Sequence, residues 1–251
     1  MKFIAIIPAR YASTRFPGKP LVDIQGKPMV QHVYEKAVAS GLFEKVIVAT
    51  DDERIQQTVI GFGGAVVMTN SNHQSGTDRC GEVINLLEKE YDVVVNIQGD
   101  EPFIHQSQLE ELTDLFKSTP AQIGTLKKRL SNVGDVFNPN VVKVVAGIDK
   151  RALYFSRNPI PYVRDSDQSD WLSKQQFFKH LGLYGYKSEV LKELVKLEPS
   201  ELEKSESLEQ LRWLENGYSI FISETHHESI GIDTPEDLKK NISSLPSKRD
   251  E

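Results

Sequence analysis

Four short runs of β-branched and apolar residues, Phe3–Ile7, Val46–Ala49, Ala65–Met68 and Val93–Ile97, recur through the first hundred positions with helical stretches between them. This alternation constrains the fold more than any other feature of the chain. Runs that are apolar at successive positions, rather than at every second one, suit strands covered on both faces. The stretches Met29–Ser40, Glu53–Ile60 and Asp78–Lys89 are predicted helices. The first starts after Pro28 and stops at Gly41, and the second stops at Gly61. The third carries Val83, Leu86 and Leu87 at helical spacing. Strand–helix–strand alternation implies right-handed crossovers, hence an α/β fold with a mostly parallel sheet and helices on both faces. Ligands of such sheets bind at the carboxyl ends of the strands. Loops 8–19, 50–52 and 98–102 are therefore the places to look for function.

The second half is less regular. Ile123–Arg129, Val141–Ala146, Ala152–Phe155, Lys179–Tyr186 and Ser219–Ser223 are predicted strands, partly antiparallel because their connections are short. Glu189–Leu197 and Ser207–Asn216 are predicted helices, the latter ended by Gly217, and Pro235 opens a last one. The polar segment Asp165–Gln176 is expected to be a mobile loop. No repeat or linker interrupts the 251 residues. We therefore expect one domain over 1–251, with a first half at 1–118, a second lobe at 119–242 and a frayed tail at 243–251.

Composition excludes several classes of function. Thirty Lys and Arg face 36 Asp and Glu, a formal charge of −6. That argues against a nucleic-acid binder, which carries surplus positive charge to displace phosphate counterions. No apolar run approaches the ~18 residues of a membrane span, and the N-terminal run is too short for a signal-peptide core. One cysteine, Cys80, allows no intrachain disulfide, which points to a reducing, cytoplasmic setting. Cys80 itself reads as an inert buried thiol. The tandem His226-His227 is set aside as a metal site, because neighbours on a strand face opposite ways.

The loop after the first run reads Pro8-Ala9-Arg10-Tyr11-Ala12-Ser13-Thr14-Arg15-Phe16-Pro17-Gly18-Lys19-Pro20. It lacks both the dinucleotide-fold and the P-loop glycine patterns. It does place Arg10, Arg15 and Lys19 at a strand end of an acidic protein. Arginine forks and a lysine point charge suit an oligophosphate, whereas the bland reading is a solvated basic loop. Asp100, in Gln98-Gly99-Asp100-Glu101-Pro102, suits a Mg²⁺ ligand or an ordinary turn aspartate. Gly99 would let backbone approach a ligand there. Asp233 precedes a helix start in which Thr234 is the cap, Pro235 the first turn and Asp237 the third position. Its carboxylate is not needed for the cap. Ser75-Gly76-Thr77-Asp78 also reads as a helix cap, with Thr77 in the structural role.

These segments together resemble the sugar-acid cytidylyltransferases, and most nearly those acting on 3-deoxy-D-manno-octulosonate (Kdo). The resemblance runs from Ile7-Pro8-Ala9-Arg10 and Ser13–Leu21 through His73–Arg79 and Asn96–Pro102. It continues in Phe137–Val145, Ala152–Arg157, His180–Tyr186, Leu208–Arg212 and Asp233–Asp237. It implies a Rossmann-like, glycosyltransferase-A-like nucleotidyltransferase fold with a smaller mixed α/β lobe for dimerisation and acceptor binding. It further implies CMP transfer from CTP to the anomeric 2-hydroxyl of Kdo, releasing pyrophosphate, for lipopolysaccharide biosynthesis. Carried over by position, Ala9, Arg10, Lys19, Gln74, Ser75, Arg79 and Gln98 are expected to bind the nucleotide. Asp100 and Asp233 are expected to hold Mg²⁺, and Arg10, Lys19, Asp100 and Asp233 to carry catalysis. Arg157, His180, Tyr184, Glu209 and Gln210 are expected to bind the anionic sugar. Each of the last five has a bland alternative: core residues for His180 and Tyr184, a solvated helix position for Glu209, a Ser207–Gln210 capping box for Gln210. A homodimer is implied, without nucleic acid or membrane as partner. A related acid, 8-amino-Kdo or sialic acid, stands as the alternative acceptor.

Overall fold

Phe3, Ile4, Ala5, Ile6 and Ile7 are all buried, as a strand covered on both faces requires. They form β1 (Phe3–Pro8), from which the sheet of the first half grows. In this computed structural model, residues 1–12, 16–228, 231–232 and 234–241 are described. The chain divides into two compact units, 1–109 with 228–251, and 110–227.

In the first unit, β1 is followed by a hairpin of β2 (Asp23–Ile24) and β3 (Lys27–Pro28) and by α1 (Met29–Ala39). Then come β4 (Lys45–Thr50), α2 (Glu53–Gly61), β5 (Val66–Met68), α3 (Gly76–Leu86) and β6 (Val93–Asn96). The sheet order is β6-β1-β4-β5, and every pairing is parallel, with Ile4 opposite Lys45 and Val94. Helix α1 packs on β4 and β1, α2 on β4 and β5, and α3 on β1, β4 and β6. The predicted strands and helices therefore form where the apolar pattern placed them. The largest shift is α3, which starts at Gly76 rather than Asp78 because Ser75, not Thr77, is its cap. The Ser75 hydroxyl accepts from Asp78 N, and the Asp78 carboxylate accepts from Ser75 N at 3.2 Å. The late segment also belongs to this unit. Ile232 packs with Ile24 and Met29, and Leu238 of α10 (Pro235–Asn241) joins Phe16 and Phe103 around them. Thr234 and Asp237 cap α10 reciprocally, as its sequence predicts.

Helix α4 (Gln106–Ser118), which the sequence reading did not anticipate, contains the division between the units. The second unit contains β7 (Ile123–Arg129), α5 (Val133–Phe137), β8 (Lys143–Ala146), β9 (Ala152–Ser156) and α6 (Trp171–Lys174). It continues with β10 (Phe178–Lys187), α7 (Ser188–Leu194), α8 (Glu201–Glu206), α9 (Glu209–Glu215) and β11 (Ile220–Thr225). Strand β7 pairs with β10 antiparallel and with β11 parallel, and β8 pairs antiparallel with β10 and β9. Gly124 and Gly185 face each other across β7 and β10. A Cβ on either would lie within 2.8 Å of the Phe116 ring of α4, so the bare pair forms the notch that seats it.

Two expectations change in this unit. Segment 165–176 is not a featureless loop. It holds a 3₁₀ turn at Gln168–Asp170 and then α6, anchored by buried Trp171 stacked on Phe177. His226 and His227 lie beyond the end of β11, so strand alternation does not govern them.

Candidate active site

The first unit gathers its polar side chains at the carboxyl end of β1. Ala9 is buried, and its N–H donates to Ala49 O at 2.9 Å, which holds the exit of β1 against β4. Arg10 is exposed. The loop closes where Gly18 N donates to Tyr11 O at 2.9 Å, and Gly18 sits at φ 72, in the region that favours glycine. Lys19 follows, nearly buried, with Nζ 2.5 Å from the Asp100 carboxylate. The loop lysine and the turn carboxylate are thus brought together by fold rather than by sequence. Loop 98–102 lies against β1 itself: a Cβ on Gly99 would stand 2.7 Å from Pro8 O. Gly99 is therefore required by this approach of backbone to backbone. Ile232 N donates to Asp100 O at 2.9 Å and brings the returning chain to the same turn. Arg15 and Asp233 lie outside the described residues.

Around this turn, Gln74 is exposed and donates to Asn72 O at 2.9 Å, while Gln98 is half-buried. Ser75 spends its hydroxyl on the α3 cap. Arg79 is fully buried. Its guanidinium donates to Thr69 Oγ1, and to the Asp51 carboxylate at 3.0 Å, so it braces the loops after β4 and β5. Its Nε, and Oδ1 of buried Asn96 at the end of β6, have no hydrogen-bond partner among the described residues. Buried polar atoms left unpaired are rare enough to need a reason. Asn96 was not among the expected site residues, although an asparagine ending an apolar Val-Val-Val run was a visible signal.

The second unit holds all five expected acceptor residues. His180 and Tyr184 share one face of β10, even though the register slips between Leu181 and Tyr184. Two residues are inserted there, an even number, so the face is preserved. Their rings lie 5.3 Å apart. His180 Nε2 meets Thr125 Oγ1 at 3.1 Å, and the same hydroxyl lies within 3.0 Å of the bulge carbonyls of Leu181 and Leu183. Burial pushes the His180 pKa down to about 3, so the ring is neutral at neutral pH. Burial, and then the Glu209 charge, raise the Tyr184 phenol well above 10. The Thr125 hydroxyl opposes that shift, and the Tyr184 hydroxyl is buried without a well-formed hydrogen bond among the described residues.

Helix α9 brings the other two. Trp213 packs edge-on against Tyr184 and Tyr186, with centroids 5.1 and 5.5 Å away. Glu209 and Gln210 stand one helical turn before it, on the same flank. Gln210 is not part of a capping box: Leu208 occupies the cap position without a side-chain bond, and Ser207 ends α8 at φ 51. Gln210 Nε2 is instead buried and unpartnered.

Arg157 is engaged by backbone carbonyls of its own unit. Its guanidinium donates to the carbonyls of Glu206 (2.6 Å), Pro139 (3.0 Å) and Ser207 (3.3 Å). Glu206 answers with its carboxylate, which accepts from Arg157 N and Ser156 Oγ. Lys143 is fully enclosed, with Nζ 2.8 Å from Asn138 O and 2.5 Å from Arg157 O. Burial lowers its pKa; Glu206 opposes this and Arg157 adds to it. Neither Lys143 nor Glu206 was expected at the site. A lysine within Val-Val-Lys-Val-Val was a readable signal for the first; nothing in the charged stretch around Glu206 distinguished the second.

Mg²⁺ suits this donor set. Among the described residues no three His, Cys, Asp or Glu side chains converge into a cage. Mg²⁺ needs none, since it takes one or two carboxylates and completes its shell with water and phosphate oxygens. The Asp100 carboxylate, beside the Lys19 ammonium, is of that kind.

Comparison with known proteins fits this arrangement. The cytidylyltransferase family profile matches residues 4–229. The 3-deoxy-manno-octulosonate cytidylyltransferase of Parabacteroides distasonis is 53% identical over 99% of this chain and 100% of its own length. That of Phocaeicola vulgatus is 52% identical over the whole of both. The solved structure of CMP:2-keto-3-deoxy-manno-octonic acid synthetase complexed with CTP superposes with a TM-score of 0.90 at 43% identity, covering 97% of this chain and 98% of that one.

Proposed function

The chain belongs to the cytidylyltransferase family, and from that premise we propose that it transfers CMP from CTP to Kdo, giving CMP-Kdo and pyrophosphate. The observation that carries this reading is the 53% identity, spanning 99% of the chain, to an enzyme of that name. The acceptor face supports it. Tyr184 Oη and Gln210 Nε2 are buried and unpaired, and Glu209 lies beside them, as a polyol demands of its pocket. Kdo is favoured over 8-amino-Kdo and sialic acid because the full-length relatives act, by name, on the octulosonate.

The acceptor's anomeric hydroxyl attacks the α-phosphorus of CTP in line. A C–O–P bond forms, the bond to the bridging oxygen breaks, pyrophosphate leaves and the hydroxyl proton passes to solvent. Catalysis of this kind is positioning and charge neutralisation. Arg10 and Lys19 bind the phosphates, and Lys19 is held for this by its pair with Asp100. Gln74, Ser75 and Gln98 border the nucleoside, with Arg79 bracing the loops around them. Neutral His180, Tyr184, Glu209 and Gln210 meet the acceptor's hydroxyls, and the cations Arg157 and Lys143 give this lobe the sign its carboxylate needs. Asp100 and Asp233 would hold Mg²⁺, which, when bound, offsets the triphosphate charge and eases loss of the hydroxyl proton. Within the same proposal, the enzyme is a cytoplasmic homodimer that serves lipopolysaccharide biosynthesis. The test is pyrophosphate release from CTP and Mg²⁺ with Kdo, 8-amino-Kdo and sialic acid side by side. Kdo should give the highest kcat/KM; equal or better turnover of another acid overturns the acceptor assignment.

A further inference from the structure

One aromatic side chain sits where both expected phosphate cations depend on it. Tyr11 lies directly after Arg10, and its carbonyl accepts from Gly18 N, directly before Lys19. The loop thus closes on itself between the two cations. One side of the Tyr11 ring lies against Gly18: a Cβ at Gly18 would come within 3.0 Å of Cε2 and 3.2 Å of the hydroxyl. Over its ring centroid, at 3.3 Å, stands the Arg54 guanidinium. Arg54 is in turn fixed by Asp52, which accepts from its Nε at 3.0 Å and its Nη2 at 2.6 Å. Asp52 also caps α2 by accepting from Arg54 N. The chain runs from a capped helix, through an oriented guanidinium, to an aromatic face and then to a glycine that leaves room for it.

We propose that Tyr11 and Arg54 are positioning residues for nucleotide binding: the Arg54–Tyr11–Gly18 stack holds segments 10–12 and 16–19 so that Arg10 and Lys19 are presented together. This rests on the reading that those two cations bind the CTP phosphates. Arg54 adds little net charge of its own, because Asp52 is bidentate on it. Its effect is on the shape of the loop rather than on the field. Asp52 orients the guanidinium over the ring, so less side-chain freedom is lost in making the cation–π contact.

The experiment measures KM for CTP, KM for Kdo and kcat in the full-length protein, with the thermal midpoint alongside. Arg54→Ala should raise KM for CTP about 2–5-fold, the worth of one such contact, and leave KM for Kdo unchanged. Tyr11→Ala should raise it further. Tyr11→Phe keeps the ring, and Arg54→Lys keeps a cation over it, so both should recover most of the loss. A fall in thermal midpoint with both KM values unmoved would show a merely structural stack and overturn the proposal. Equal rises in both KM values would overturn it too. If the unaltered protein turns over no CTP with any acid, the functional reading fails instead, and the two failures are distinct.

Discussion

At the scale of single residues, the second unit carries groups whose cost in the free chain marks them for a ligand. Tyr184 buries a hydroxyl that makes no well-formed hydrogen bond among the described residues. Removing an unpaired buried polar atom relieves a desolvation cost, while removing a paired one incurs it. Tyr184→Phe should therefore leave the ligand-free protein as stable as before, or more stable by about 1 kcal/mol. The same change should raise KM for the acceptor about tenfold, the loss of one hydrogen bond of ~1.4 kcal/mol. Urea unfolding and acceptor titration together check this, and a destabilised variant with normal KM would count against it. His180 makes a second prediction. Its folded pKa of about 3 lies below the unfolded value near 6.5, so below pH 6.5 the unfolded chain takes up a proton that the folded one refuses. Stability from this site is complete above pH 6.5 and is lost as pH falls towards 3. Between pH 7.5 and 5.5 the loss is about 1.4 kcal/mol. His180→Gln should show a smaller decline over that interval by about that amount in denaturant titrations.

At the scale of elements, the apolar pattern located β1, β4, β5 and β6 of the first unit, because a strand covered on both faces writes its burial into consecutive residues; the two-residue strands β2 and β3 carry no such run. Helix α4 was not foreseen. Its run Gln106–Ser118 opens on the polar residues Gln106, Ser107 and Gln108, and its burial is decided by Phe116 meeting a notch over 60 residues away in sequence at one side. Trp171 shows the same limit: a polar surrounding segment disguised one buried indole that orders α6. The glycine notch gives the prediction at this scale. Gly185→Ala places a methyl 2.5 Å from Phe116 Cε2 and overpacks the seat of α4. It should cost about 1–3 kcal/mol of stability, read in thermal or urea unfolding. Gly182, with open space where a Cβ would go, is the control: Gly182→Ala should cost much less. The α9 site follows a similar logic. Trp213 seats the helix on Tyr184 and Tyr186 and so brings Glu209 to the side of Tyr184, a contact that nothing in the spacing of Leu208–Arg212 announces.

For the whole molecule, the formal charge of −6 is a surface property, and the candidate site departs from it locally. Arg10 and Lys19 stand in the first unit and Lys143 and Arg157 in the second, so each unit carries its own cations within a chain of negative formal charge. No described helix is long and apolar enough to cross a membrane. The interiors of both units are closed by side-chain packing, from Ile4 and Val95 in the first to Phe155 and Trp213 in the second. Removing divalent cations with a chelator should therefore abolish pyrophosphate release while leaving the thermal midpoint of the ligand-free protein in place. Adding Mg²⁺ back should restore the rate. A chelator-induced unfolding transition would show that the metal is structural instead.

The sequence by itself determined the alternation that builds the parallel sheet, the strand-end loops that carry Arg10, Lys19 and Asp100, the cap of α10, and the family. All of these are local or periodic properties, set by a few neighbouring residues at a time. Only the tertiary structure decided what those residues spend their hydrogen bonds on. It paired Lys19 with Asp100 across 81 positions, buried Arg79 as a brace, turned Arg157 onto three carbonyls, and left Tyr184 and Gln210 unpaired beside Glu209. Such outcomes depend on which distant groups share a buried space, where water no longer supplies a partner. Short-range pattern has no access to that information.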